Sequence, residues 1–100
     1  MSWFFIKLHT SPNGVVLAVC DAELLGKTIE AEDGLKLEVS EKFYGGEKVD
    51  EEELIRLLSE ASFSNLLGEK AVKIAIDNGF AHPNSVISFG GVPHLIIMHL

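Results

Sequence analysis

Gly26-Lys27-Thr28 has the form of the end of a phosphate-binding loop, in which backbone amides and a lysine cradle the anion. That loop also needs glycine at position 21, where this chain has Asp21, a carboxylate that would repel phosphate. Ile29 to Ala31 then reads as strand where such a loop would open a helix, so the segment is read as an ordinary turn. Cys20, the single cysteine, would need a neighbouring cation or base to become a nucleophile. His94 and His99 lie five apart on a predicted strand and so point to opposite faces, which leaves His82 with His94 as the open metal-binding pair. No cysteine pair or His-Glu-x-x-His pattern accompanies them, so neither a metal nor a cofactor is expected. Glu47, Glu51, Glu52 and Glu53 lack calcium-loop spacing and are explained by solubility and by helix-start charge.

Gly90-Gly91-Val92-Pro93-His94 is harder to reduce to packing. Two glycines permit unusual backbone angles and close approach of another group, Pro93 stiffens the exit, and His94 adds a polar tip beside an apolar strand. A tight connection or a ligand contact would each use such a segment.

The elements that must position these groups follow from local pattern. Pro12-Asn13-Gly14 predicts a three-residue hairpin with Ser11 opposite Val15. Phe4, Ile6 and Leu8 then share an all-apolar face with Val16, Ala18 and Cys20, where the thiol is a small hydrophobe with a raised pKa. A second hairpin with Glu32-Asp33-Gly34 as its loop aligns Ile29 and Ala31 with Leu37 and Leu35, leaving Glu30, Lys36 and Glu38 outward. Asp50 followed by Glu53 forms a capping box, and Leu54, Leu57, Leu58 and Ala61 recur on one helical face. Ser64 or Asn65 can cap a second helix carrying Leu67, Ala71, Ile74 and Ala75, which stops at Asn78-Gly79. Val86 to Phe89 and Leu95 to Leu100 read as a closing strand pair. The expected fold is α+β, a largely antiparallel sheet of about six short strands with two consecutive helices packed on one face.

Composition bounds the rest. The chain carries 8 basic and 15 acidic residues for a formal charge of −7, which disfavours broad binding to nucleic acid or anionic lipid. The acids concentrate in residues 21–60, while residues 80–100 hold no Asp, Glu, Lys or Arg, as suits an interior or a partner contact. One cysteine excludes an internal disulfide and suits a cytoplasmic home. No signal peptide, membrane span, repeat or linker is found, and residues 1–100 are read as a single domain.

Four ordered stretches carry a resemblance: Val19-Cys20-Asp21-Ala22-Glu23-Leu24-Leu25-Gly26-Lys27-Thr28, Val39-Ser40-Glu41-Lys42-Phe43-Tyr44, Asn65-Leu66-Leu67-Gly68-Glu69, and Gly91-Val92-Pro93-His94. Together they resemble a small archaeal family known as domain of unknown function 424, in a match that covers nearly the whole chain. The resemblance implies an archaeal, cytoplasmic, single-domain protein and brings no assigned activity. Candidate binding residues inferred from these motif positions are Asp21, Gly26, Lys27, Asn65, Gly68, Glu69, Gly90, Gly91, Pro93 and His94.

The leading expectation is a noncatalytic binding module whose surface combines the Asp21 to Lys27 turn, the start of the second helix and the Gly90 to His94 loop. Its partner would be a protein or ribonucleoprotein. The rival reading is an enzyme acting on a small metabolite, with Asp21, Glu69 or His94 as general acid or base and Lys27 holding an anion. A third is a homodimer joined through the uncharged C-terminal strand.

Overall fold

The structure is a computed structural model and describes residues 2–99. It opens with strands β1 (Trp3–Ser11) and β2 (Gly14–Asp21), joined through Pro12-Asn13. The Ser11 hydroxyl holds this turn, accepting from the Asn13 amide at 3.2 Å and donating to the Gly14 carbonyl at 3.2 Å. Gly14, at φ +132°, is already in register with Ser11, so the loop has two residues and the expected Ser11–Val15 pairing is off by one. A slip of one residue turns every side chain over. Phe4 and Ile6 therefore share their face with Leu17 and Val19, while Ala18 and Cys20 lie on the opposite face.

The second hairpin follows the expected register: β3 (Thr28–Glu30) meets β4 (Lys36–Glu38) with Ile29 opposite Leu37. Glu30, Lys36 and Glu38 are exposed, and Gly34 takes φ +87° in the turn. Ser40 then caps a short helix, α1 (Glu41–Tyr44), accepting from the Phe43 amide at 3.2 Å. β5 (Glu47–Asp50) pairs with β1 and leads directly into α2 (Glu51–Glu60). Asp50 caps α2 as its pattern requires, with Oδ1 accepting from the Glu53 amide at 2.9 Å, and Leu54 and Leu58 are buried.

The expected second helix does not follow α2 directly. Residues 63–67 instead form β6 (Phe63–Leu67), so Ser64 and Asn65 sit on a strand and cap nothing. β6 runs parallel to β2 and antiparallel to β8 (Val92–Met98). It is covered on both faces, and Leu66 and Leu67, neighbours in sequence, are both fully buried. Such a strand shows no alternation and blends into the helical pattern that follows. The helix itself, α3 (Glu69–Asp77), buries Ala71, Ile74 and Ala75 and stops where Gly79 takes φ +78°. β7 (Ile87–Phe89) meets β8 across a two-residue Gly90-Gly91 turn at φ +56° and +83°. Val92, Pro93 and His94 thus begin a strand instead of finishing a loop. The expected end of that strand, Leu100, lies outside the described residues.

The fold is α+β, with a mixed six-stranded sheet in the order β5-β1-β2-β6-β8-β7 and a separate β3-β4 ribbon. Only the β2–β6 neighbours in the large sheet are parallel. Phe4, Ile6, Leu17, Val19, Leu66 and Leu95 line the face covered by α2 and α3. Ala18, Cys20 and Leu67 line the other face, part of which is roofed by Ile29, Val39 and Tyr44 from the ribbon and α1. Among the described residues, no helix is long and apolar enough to cross a membrane.

Candidate functional site

Beside the ribbon, the second sheet face opens as a cleft of about 530 Å³. Pairing places Asn65 on β6 and His94 on β8 on that same face, two residues apart in register. The α1 helix lays Tyr44 over them. Asn65 Oδ1 accepts from Tyr44 Oη at 3.0 Å and lies 3.0 Å from His94 Nε2, so one amide oxygen joins side chains from three elements. With Nε2 carrying the proton toward Asn65, the neutral imidazole leaves Nδ1 as an acceptor. Phe43, Phe89, Leu37 and Leu67 supply apolar walls, and Glu38 and Ser88 add polar groups.

The polar row is uncharged near neutral pH. Burial lowers the His94 pKa below its ordinary value, and burial first, then the neighbouring Cys20, pushes the Tyr44 hydroxyl up to about 12. Cys20 itself is buried beneath Tyr44 and pushed up to about 12, chiefly by burial and then by Asp21. It lies on the face opposite the one expected, yet it is the inert small hydrophobe its burial requires. Phe43 stacks on His9 with centroids 4.6 Å apart and stands at 81° to Tyr44.

Most of the other candidate residues assemble elsewhere. Asp21, 3% exposed, ends β2 with its carboxylate under the first turn of α3. Its Oδ2 accepts from the Lys70 amide at 3.0 Å and its Oδ1 from the Ala71 amide at 2.8 Å. Burial raises the Asp21 pKa while these two hydrogen bonds pull it back. Gly68 precedes the helix at φ +122°, and a Cβ there would meet the Asp21 carboxylate carbon at 2.4 Å, so only glycine lets the cap approach. The Gly68 amide donates to the Pro93 carbonyl at 2.9 Å. Asp21, Glu69, Gly91 and Pro93 line a small depression of about 160 Å³, beside which Lys70 pairs with Glu23 at 2.7 Å.

The three segments expected to form one surface are therefore neighbours, but His94 faces the cleft while Asp21 and Glu69 face the depression. Gly26 and Lys27 line neither; they tie the ribbon to the turn after β2 through Gly26 N–H to Val39 O at 2.8 Å and Val39 N–H to Lys27 O at 2.8 Å. Gly90 packs on the ribbon, where a Cβ would meet the Glu30 carbonyl oxygen at 2.5 Å. His82 Nδ1 accepts from the Asn84 amide, and no cluster of three metal-ligating side chains occurs among the described residues. Phe43, Tyr44 and Phe89 were missed as site residues. For Phe43 and Tyr44 the sequence signals are Ser40, which caps the turn that brings both aromatics over the sheet, and their place in the Val39–Tyr44 stretch that carries the family resemblance.

A family model described as "Protein of unknown function (DUF424)" matches residues 9–100. The crystal structure of an uncharacterized conserved protein from Methanopyrus kandleri is similar at a TM-score of 0.80 and 30% sequence identity, covering 96% of this chain and 92% of that one. No curated protein matches.

Proposed function

We propose that this chain, which belongs to the DUF424 family, is a noncatalytic binding module of the archaeal cytoplasm whose recognition site is the Tyr44–Asn65–His94 cleft. One observation carries the reading: two uncharged polar side chains, Tyr44 and His94, converge on Asn65 Oδ1 in an apolar-walled concavity. The cleft continues along the sheet as an exposed apolar strip, with Ile96 at 59% and Met98 at 63% exposure and Ile87 at its rim. An acid–base enzyme fits less well, because both Asp21 oxygens are engaged by α3 and Glu69 does not share a concavity with His94.

The test is affinity capture from a native archaeal extract, with and without nuclease, using the wild-type chain and Ile87→Asp. Ile87 is 63% exposed at the cleft mouth, so the substitution alters the site and spares the core. A protein or ribonucleoprotein held by wild type and released by the variant supports the reading; equal recovery overturns it. A homodimer is a second reading, favoured by the β8 outer edge, which β7 pairs only as far as His94 among the described residues. A monomer by sedimentation at high concentration removes it.

A further inference from the structure

We infer that the group taken by the cleft is an alkylated ammonium, carried either by a small molecule or by a methylated lysine side chain. This rests on the cleft being the recognition site. Three aromatic residues, Phe43, Tyr44 and Phe89, line one concavity, and the first two pack edge to face with centroids 4.8 Å apart. Aromatic faces carry negative potential and attract a cation, most strongly where water is excluded. Glu38 is the one carboxylate in the lining, and no Lys or Arg lines the cleft among the described residues. His94 does not oppose a cation, because burial favours its neutral form. Asn65 and Ser88, the remaining polar residues of the lining, are uncharged.

Other guests use this lining less completely. A nucleotide could stack its base on the rings, but its phosphates would meet Glu38 with no basic partner. A neutral hydrocarbon would fill the walls and leave Glu38 without a role. The formal charge of −7 also draws cations toward the molecule before contact.

The test follows backbone amide NMR shifts during titration with choline chloride and with 3,3-dimethyl-1-butanol, its neutral isostere, at ionic strength matched with sodium chloride. Choline should shift the amides of Phe43, Asn65 and Phe89 and bind about five- to thirtyfold more tightly than the isostere. Glu38→Gln, an exposed change, should weaken choline about two- to fivefold and leave the isostere unchanged. Equal binding of choline and the isostere, or no cleft shift with either, overturns the inference; the cleft reading itself falls only if wild type and Ile87→Asp recover their partner equally. A trimethyllysine peptide and its unmodified form identify the source. Preference for the trimethyllysine peptide over choline supports a protein partner, and preference for choline supports a free small molecule.

Discussion

Replacing Asp21 by alanine should weaken the fold far more than replacing any exposed acid. Its carboxylate is 3% exposed and satisfies two α3 amides at 3.0 and 2.8 Å from 49 and 50 residues away in sequence. Loss of an ordinary helix cap costs about 0.5–2 kcal/mol, and a buried N–H left without a partner costs about 1–3 kcal/mol more. Together these give about 2–5 kcal/mol, against a total stability of about 5–15 kcal/mol for a domain. At about 4–8 °C per kcal/mol, thermal unfolding followed by far-UV circular dichroism should shift down by about 8–40 °C. A loss below about 1 kcal/mol would refute the capping argument.

Gly68 gives the same argument a second and independent check. Gly68→Ala sets a Cβ 2.4 Å from the Asp21 carboxylate carbon, at a backbone φ of +122° that alanine resists. In an Asp21→Ala background the carboxylate is gone and only the backbone term remains. The cost of Gly68→Ala should fall by about 1 kcal/mol or more in a double-mutant cycle. Strict additivity would show that the glycine does not serve the carboxylate. Titration adds a sign. Burial holds the folded Asp21 carboxyl above its ordinary value of 3.8, so the unfolded chain releases that proton first. The stability it lends is full below 3.8 and declines as pH rises through the raised value. The advantage of wild type over Asp21→Asn should shrink across that window; an advantage growing with pH would contradict it.

Three further outcomes are expected. Cys20, with its pKa pushed up to about 12, should react with Ellman's reagent about a hundredfold or more slowly in the native state than in urea. The His94 imidazole should titrate by NMR with a midpoint below 6.5, and its contribution to stability, present above 6.5, should be lost as pH falls through that lowered midpoint. Gly90→Ala should cost about 2–3 kcal/mol in urea unfolding because its Cβ meets the Glu30 backbone, whereas Gly91→Ala, with open space at φ +83°, should cost about 1 kcal/mol.

What could be read from the sequence was what neighbouring residues decide. Ile29 opposite Leu37, the Asp50 cap and the Asn78-Gly79 stop each rest on a few adjacent side chains, and all three are found. The β1–β2 register failed because Pro12-Asn13 closes a two-residue turn held by the Ser11 hydroxyl, and one residue of slip exchanges the faces of Leu17 and Ala18. β6 failed for a different reason. Its partners, β2 and β8, are distant in sequence, and Leu67 also stands at helical spacing from Ala71 and Ile74. Among the site residues, Asn65 and His94 were named without the relation between them. That relation exists only once β6 and β8 are side by side.

The placement of Asn65 is the main argument for the proposed recognition site. It sits on a central strand, paired on both sides, which fixes its amide far more firmly than a loop would. A leucine there would add apolar contact to Leu37 and Leu67, as its neighbours Leu66 and Leu67 do for the fold. A polar group instead obliges Tyr44 and His94 to be oriented around it, and each of these arrives from an element of its own. Sequences that fold for stability alone fill such positions with hydrocarbon; departures from that rule gather at sites kept for recognition. The Asp21–Gly68 pair shows the contrasting case, a buried polar group wholly consumed in joining β2 to α3. Of the two polar centres, only the Tyr44–Asn65–His94 row lines an open concavity beside aromatic side chains, which is what the proposed recognition site requires.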